Sequence, residues 1–539
     1  MEEQLVIGKG TWIDKVADNL IKREKQLGRS LDLVRVESGL GASGIPHIGS
    51  MADAARAYGI ALALENLGFK SQLIAYSDDM DGLRKIPHGL PSWLQDHIAK
   101  PVSSVPDPFG SCHTSYGAHM SSLLLESLDK AGIKYCFQSG REAYQQGILI
   151  NQIDTILKNS GKLGQMIARL VGQEKYIEVL PYFPICHNCG RLYTAVAQEY
   201  LPEKKKVAYI CQGSKIGRVD IKGCGTKGEA DITKGEGKLA WKVEFAARWQ
   251  ALDIRFEGYG KDIMDSVKVN DWISEEILAY SHPMHIKYEM FLDKTGKKIS
   301  KSAGNVLTPQ MWLRYGTAES ILLLLFKRII GTRHIGLDDV PIMMDEYDYY
   351  EDIYFGKVKE DNVAKVNKIK GIYEYVNKLN PPKQPNAHIP YLFIAQQASI
   401  FPTSSDRDEK VFNRLLKYGM VKQATESIMQ KIRLACNWSD DNMMKDEKFQ
   451  VFLSDSYRKA VQDLIEAIRR YAGLPDTPDN AKDLQSTVFS IARSNNMEPK
   501  EFFILLYRMF LNADRGPRIG NYFLDLGIDK AISILHKYL

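Results

Sequence analysis

Pro46-His47-Ile48-Gly49 follows a glycine-rich loop, Gly39-Leu40-Gly41-Ala42-Ser43-Gly44-Ile45. A helix start presents backbone N–H groups without intrahelical partners and a partial positive charge, and glycines let that backbone approach an anion closely. A histidine on the first turn can donate to phosphate oxygens as negative charge builds during attack at phosphorus. The same residues also suit a structural histidine in a tight turn. The second candidate is Lys298-Ile299-Ser300-Lys301-Ser302, followed by Gly304-Asn305. Two ammonium groups three positions apart, with hydroxyls between them, suit a mobile loop that closes over a triphosphate and stabilises the leaving pyrophosphate. Read alone, such a run also describes a solvated surface loop. Cysteines make the third candidate. Cys186-His187-Asn188-Cys189 forms a knuckle-like pair with Gly190 at its bend, and Cys211 and Cys224 follow with 12 residues between them. Four thiolates suit a closed structural Zn²⁺ site, although a second pair normally has two to four residues between its cysteines. His187 in place of one thiol, or a site without metal, stays open. Cys112, Cys136 and Cys436 are isolated, and packing is the expectation for each.

These groups need elements to position them. Trp12, Val16 and Leu20 share one helical face in a lead-in that ends at Gly28. Residues 31–37 read as a strand, and after the glycine loop a helix spans about 51–66, capped by Ser50 or a neighbour and stopped at Gly68. A second strand covers 70–76. Strand, glycine loop, helix and strand make a βαβ unit, the beginning of a parallel sheet. Residues 176–240 differ in texture: they hold four of the seven cysteines, many Gly and Lys, and no sustained helical pattern. They read as a small inserted module. Sheet patterning resumes near 241–259, before the Lys/Ser loop. Beyond about 320 helical patterns dominate, among them 455–471 and 501–511, with a loop or linker at 379–389.

At 539 residues the chain exceeds one ordinary core and predicts two to four domains. A net charge of +5 permits a nucleic-acid partner without arguing for one. Residues 1–10 carry no secretory pattern, and the longest apolar run, 321–326, is far short of the roughly 20 residues of a membrane span. Seven cysteines, an odd number, suit a reducing compartment. A soluble, cytoplasmic protein without membrane attachment is expected.

Taken together, the two phosphate-type segments resemble the paired HIGH and KMSKS motifs of class I aminoacyl-tRNA synthetases. His47-Ile48-Gly49-Ser50 departs from the first at its last position, and Ile299 replaces Met in the second. Further blocks are similar to the class I lysyl-tRNA synthetases over nearly the whole chain: residues 42–49, 77–87, Trp241-Lys242-Val243-Glu244, Arg248-Trp249, Gly260-Lys261-Asp262 and Arg515-Gly516-Pro517-Arg518. Many members have His after Gly-Lys-Asp, where this chain has Ile263. His282 or His285 is a possible substitute.

The resemblance implies an α/β fold. A Rossmann-type parallel-sheet catalytic domain spans 1–150 and 239–320, a cysteine-rich insertion spans 151–238, and an all-α anticodon-binding region spans 321–539. It implies a monomeric enzyme using ATP with Mg²⁺, L-lysine and tRNA(Lys); structural Zn²⁺ is a reading of the module's cysteines and not of the resemblance. His47, Gly49, Lys298 and Lys301 would be catalytic. Ser43, Gly44, Pro46, His47, Gly49, Ser50, Lys298, Ser300, Lys301 and Ser302 would bind ATP. Gly39, Gly41, Trp241 and Tyr288 would bind lysine. Its ε-ammonium needs a carboxylate, for which Asp79, Asp81 and Glu37 are candidates, unless each merely pairs with Arg84 or Lys85. Arg515, Arg518 and Tyr522 would contact tRNA through phosphates and base stacking. Alternatives are another class I synthetase of glutamyl type, a non-catalytic tRNA-binding relative, and a zinc-bearing nucleotidyltransferase acting on a small molecule.

Overall fold

Val34–Leu40 (β1) and Ser71–Ser77 (β2) pair in parallel, and the Ala-rich helix Ile48–Asn66 connects them. In this computed structural model the described residues are 7–87, 89–217, 219–299, 307–401, 403–443, 453–475, 477–511 and 518–539. Ser300, Lys301, Ser302, Gly304, Asn305, Arg515, Gly516 and Pro517 lie outside them.

Helix Trp12–Gln26 (α1) opens with a capping box at Thr11 and Asp14. The connecting helix Ile48–Asn66 (α2) begins earlier than its sequence pattern indicates, because His47 and not Ser50 is the N-cap. Helix Tyr116–Lys130 (α3) leads to strand Cys136–Ser139 (β3), and a short helix Gly140–Gln145 (α4) follows at once. After the module, helix Trp241–Ala251 (α5) precedes strand Ile254–Gly260 (β4), then helix Met264–Glu276 (α6) and strand Met284–Tyr288 (β5). The sheet order is β5-β4-β1-β2-β3, and every pairing is parallel. The chain therefore builds outward from β1 on one side and later returns to its other side at β4. The carboxyl ends of β1 and β4 flank this switch point, where parallel sheets leave a crevice for ligands.

In the stretch 151–238, helices Ile150–Lys158 and Ser160–Val171 precede an antiparallel module. Strands Ala195–Leu201, Lys206–Cys211 and Lys227–Asp231 form a three-stranded sheet, and Gly213–Ile216 pairs with Val219–Lys222 as a hairpin. Tyr182–Pro184 pairs with Gly237–Leu239 and closes the module against the catalytic sheet's core.

The chain divides into two units, residues 1–313 with 317–385, and residues 314–316 with 386–539. Helices Ala318–Phe326, Asp339–Tyr354 and Val363–Val376 belong to the first. The second is helical among its described residues. Val461, Leu464, Val488, Phe502, Leu506 and Phe523 meet in its core. Among the described residues no helix is long and apolar enough to cross a membrane.

Candidate active site

A cavity of about 380 Å³ opens at the switch point. Gly39 and Gly41 from the end of β1, Gly258 to Gly260 from β4, and Tyr288 from β5 line it. So do His47, Gly49 and Ser50 at the start of α2, Trp241, Phe245 and Arg248 on α5, and Lys298 and Ile299. His47 and Lys298, far apart in the chain, thus face one space.

The His47 side chain has a defined role at the helix start. Its Nδ1 accepts from the backbone N–H of Ser50 at 3.3 Å. In a neutral imidazole that leaves the proton on Nε2, so the ring is a donor there. Gly49 is required by this arrangement: a Cβ at that position would lie 2.8 Å from His47 Cε1 and Nδ1. Lys298 is half-exposed and pairs with Asp262 at 2.9 Å. Asp53, one helical turn beyond Ser50, is pushed up to about 6 by burial, offset in part by a hydrogen bond from Tyr288 and by Arg56. The Arg56 guanidinium lies 4.5 Å over the Tyr288 ring.

Arg248 organises the opposite wall. Its guanidinium lies 4.4 Å from the Tyr76 ring centroid and 4.8 Å from that of Phe245, and it is 1% exposed. Nη2 meets Glu37 at 2.8 Å and Glu257 at 3.6 Å, and Nη1 meets Asp78 at 2.9 Å. Burial pushes the Glu37 carboxyl up to about 8 against the pull of Arg248, and Asp78 likewise to about 7. Asp78 lines the cavity, whereas Glu37 lies fully buried beneath it. Neither Glu37 nor Asp79 pairs with Arg84 or Lys85; Glu37 serves Arg248 instead.

Asp79 lines neither this cavity nor the one adjoining it. It accepts from the Ser139 hydroxyl at 2.6 Å and the Arg141 N–H at 2.7 Å, so it holds the start of α4. A carboxylate at a helix start is stabilised by the unpaired backbone N–H groups there. Asp81 lines an adjoining cavity of about 340 Å³ with Gly41, Ser43 and Trp241. Its Oδ1 accepts from Lys238 Nζ at 2.5 Å and from the Trp241 indole at 3.1 Å. It orients the Trp241 ring. Gly44 and Pro46 are buried in the turn before α2 and line neither cavity. Ile263 does line the main one, and neither His282 nor His285 does. His285 lies behind it, with Nε2 3.0 Å from Asp271 and Nδ1 on the Glu257 carbonyl.

In the module, the four cysteine sulfurs lie within 4.8 Å of one another. Cys186 and Cys224 are 3.5 Å apart, and Cys189 and Cys211 are 3.8 Å apart. Four ligands at the Zn–S length of about 2.3 Å would lie about 3.8 Å apart on a tetrahedron's edges, so the donor set fits. The long Cys211–Cys224 spacing is the hairpin Gly213–Ile216/Val219–Lys222, which returns the chain to its starting point. His187 is turned to Glu236 at 3.2 Å and is not needed as a ligand.

A second donor set escaped the sequence reading. Asp107, Cys112, His113 and His119 bring their ligand atoms within 4.8 Å of one another. Cys112 Sγ is 3.2 Å from His113 Nδ1 and 3.3 Å from His119 Nδ1, and His119 Nδ1 is 3.1 Å from Asp107. Cys112 is therefore exposed and clustered, not a packing residue; Cys136 is also exposed, and only Cys436 of the three isolated cysteines is buried. The adjacent Cys-His pair with another His six positions on was the available signal.

In the second unit, Arg518 is exposed at the start of helix Ile519–Leu526. Tyr522, expected to stack on a base, is 3% exposed and packs against Phe510 and Phe523. Its place on the apolar face of an amphipathic helix makes it a core residue.

A helix start and Lys298 facing one cavity at the switch point of a parallel sheet belong to a catalytic domain of Rossmann type. The profile of one family, tRNA synthetases class I (K), matches residues 10–379. Lysine–tRNA ligase from Cenarchaeum symbiosum (strain A) is 51% identical over 539 residues, covering 100% of both chains. The enzyme of that name from Rickettsia bellii (strain OSU 85-389) is 28% identical, covering 97% of this chain and 96% of its own. A solved glutamate tRNA ligase from Elizabethkingia meningosepticum, in complex with its amino acid, overlaps at TM-score 0.39 and 13% identity, covering 94% of this chain and 99% of that one. The chain belongs to the class I lysyl-tRNA synthetases.

Proposed function

We propose that this chain is a lysine–tRNA ligase whose amino-acid activation takes place in the cavity between β1, β4 and the start of α2. The observation that carries this is the convergence of His47 and Lys298 on one space at the switch point. The substrates are L-lysine, ATP with Mg²⁺, and tRNA(Lys). The lysine carboxylate attacks the α-phosphorus in line; the new C–O–P link forms as the bond to pyrophosphate breaks. The terminal adenosine hydroxyl of tRNA then attacks the adenylate carbonyl and releases AMP. Catalysis is positioning and electrostatics, with no covalent enzyme intermediate.

His47 Nε2–H and the backbone amides at the start of α2 donate to phosphate oxygens. Lys298 exchanges Asp262 for the departing pyrophosphate, with Lys301, Ser300 and Ser302 assigned to the same loop. Trp241, Phe245, Tyr259 and Ile263 supply apolar walls for the lysine stem. The four module cysteines hold structural Zn²⁺, and Asp107, Cys112, His113 and His119 suit a second ion. The helical second unit engages tRNA, with Arg518 among its exposed cations and Arg515 assigned beside it. The chain works as a monomer in the cytoplasm. Amino-acid-dependent pyrophosphate exchange tests the reading. Lysine alone among the twenty amino acids is expected to support it, and the product should charge purified tRNA(Lys). Exchange driven by glutamate, or by no amino acid, would overturn it.

A further inference from the structure

His282 and His285 line neither cavity, yet their surroundings are specific. Helix α6 carries Asp271 and Glu275 one turn apart, so both project from one face. After α6 the chain turns through Ala279 in the left-handed region, at φ +51°. Ser274 clamps that turn: its carbonyl accepts from the Tyr280 N–H and its hydroxyl donates to the Tyr280 carbonyl, each at 2.8 Å. Arg23 Nη2, from α1, then donates to the His282 carbonyl at 2.6 Å. These ties return His282 and His285, at the entry to β5, to the carboxylate face of α6. His285 Nε2 lies 3.0 Å from Asp271 Oδ1, and His282 Nε2 lies 3.5 Å from Glu275 Oε1. One ligand atom each from Asp271, His282 and His285 falls within 4.8 Å of the other two.

Counting protons shows what is missing. His285 Nδ1 lies 2.9 Å from the Glu257 carbonyl, and His282 Nδ1 lies 2.7 Å from the Pro283 carbonyl. A carbonyl only accepts, so both Nδ1 atoms carry a proton. In neutral imidazoles the two Nε2 atoms then hold lone pairs, and each faces a carboxylate oxygen that also only accepts. Charging one ring leaves the other in conflict. Charging both sets two imidazolium rings face to face, because the rings stack with centroids 5.5 Å apart and planes 3° apart. Asp271 and Glu275 repel each other at their helical spacing as well. A cation among the four groups removes every conflict at once. Nδ1–H on a backbone carbonyl with Nε2 left free is also how metal-binding histidines are oriented.

We propose that Asp271, His282 and His285, completed by Glu275, bind a divalent transition cation of the zinc class. Two nitrogens and two oxygens suit Zn²⁺, Co²⁺ or Ni²⁺ better than Mg²⁺ or Ca²⁺. Ligand atoms around a tetrahedral ion with bonds of about 2.1 Å stand about 3.4 Å apart, near the spacings of 3.0 and 3.5 Å here. Asp271 and His282 are each 29% exposed and Glu275 is 53% exposed, so this ion exchanges with solvent, unlike one enclosed by thiolates. It fastens the entry of β5 to α6. His285 carries that constraint to the Glu257 carbonyl on β4, a strand whose carboxyl end lines the cavity.

The test uses the full-length protein, saturated with Zn²⁺ and then passed through metal-free buffer, so that the cysteine-bearing donor sets stay filled and this one empties. Titrated with Co²⁺ and followed by visible absorption, it is expected to take up one further equivalent. The added Co²⁺ should show the d–d bands of nitrogen and oxygen ligands without a thiolate charge-transfer band. Asp271→Asn and, separately, His282→Ala are expected to weaken that uptake about 100-fold or more, with cooperative melting showing each variant folded. Saturating Co²⁺ should also raise the melting temperature of the wild type and leave that of either variant unmoved. The absence of a further equivalent in the wild type overturns the assignment, and so does uptake that neither substitution weakens. A thiolate band on the added Co²⁺ overturns it too, by placing the ion at cysteine. Should one variant fail to fold, the other decides.

Discussion

The backbone N–H of Ile48 donates to the carbonyl of Leu307 at 2.9 Å. One hydrogen bond thus ties the first turn of α2 to Leu307. Ile48 is fully buried and Leu307 is 6% exposed, so the tie lies out of competition with water. Lys298 pairs with Asp262 at 2.9 Å, and both side chains are half-exposed. Such exposed pairs are weak and easily exchanged for a phosphate.

Lys298→Met is therefore expected to lower the rate of adenylate formation by a factor of roughly 100 or more, and to leave lysine affinity nearly unchanged. Single-turnover kinetics separate the two. An unaltered rate would remove this loop from the mechanism. Lys301→Ala is expected to act in the same direction.

Gly49→Ala should impair the first step without unfolding the protein. The new methyl group would drive into the His47 ring, whose atoms lie 2.8 Å from the ideal Cβ position. The imidazole must then leave its hydrogen bond with Ser50 N–H. We expect a loss of tenfold or more in kcat, a magnitude of about 1.4 kcal/mol, with an unchanged melting curve. Wild-type turnover in Gly49→Ala would show that the His47 rotamer is irrelevant.

Lysine affinity should depend on pH. Burial raises Asp78 from 3.8 to about 7 and Glu37 from 4.5 to about 8, in a cluster that also contains Arg248, Glu257, Glu244, Asp81 and Lys238. A cationic ligand needs these groups ionised, so the KM for lysine is expected to fall as pH rises from about 6 to about 8. Binding should release protons in that window, which calorimetry in buffers of different ionisation enthalpy reads directly. The sign for folding is opposite. The folded state holds protons that the unfolded chain has already lost, so this cluster's contribution to stability is full below about pH 4 and declines as pH rises through 7 to 8. A KM that rises with pH would show that these carboxyls do not govern lysine binding.

Metal content offers an independent check. Elemental analysis should find two Zn²⁺ per chain when both donor sets are loaded, falling to one in Cys186→Ser and to one in His119→Ala. Strong chelation is expected to lower the melting temperature more than it lowers lysine affinity, because neither set lines the cavity. Zinc-free protein of undiminished stability would argue against both sites.

Lys238→Met should destabilise the catalytic unit. Lys238 is 1% exposed and bridges Asp81 at 2.5 Å and Glu244 at 2.7 Å, joining the last strand of the module to α5. Its removal leaves two carboxylates buried, at a cost of about 3–5 kcal/mol in denaturant unfolding. A smaller loss would mean that the carboxylates take up protons readily.

Much of this was legible in the chain. The strand, glycine loop and helix around His47 could be read because backbone geometry makes local demands: glycine at the crowded turn, alanine and leucine along a buried helix, and an end signal at Gly68. The two phosphate-type segments and the four module cysteines announced themselves by residue type and spacing. Charge partners could not be read this way. Asp78, Asp79 and Asp81 are neighbours in sequence, yet one meets Arg248, one holds α4, and one meets Lys238 and Trp241. Each assignment depends on which remote element packs against that turn. Likewise, Cys211 and Cys224 look too far apart for a metal pair until the hairpin closes the gap. Tyr522 looked available for stacking until its helix buried it. Short-range conformational preference follows from the order of residues alone. Which carboxylate stays open to a ligand is settled only when segments hundreds of residues apart compete for the same buried cation.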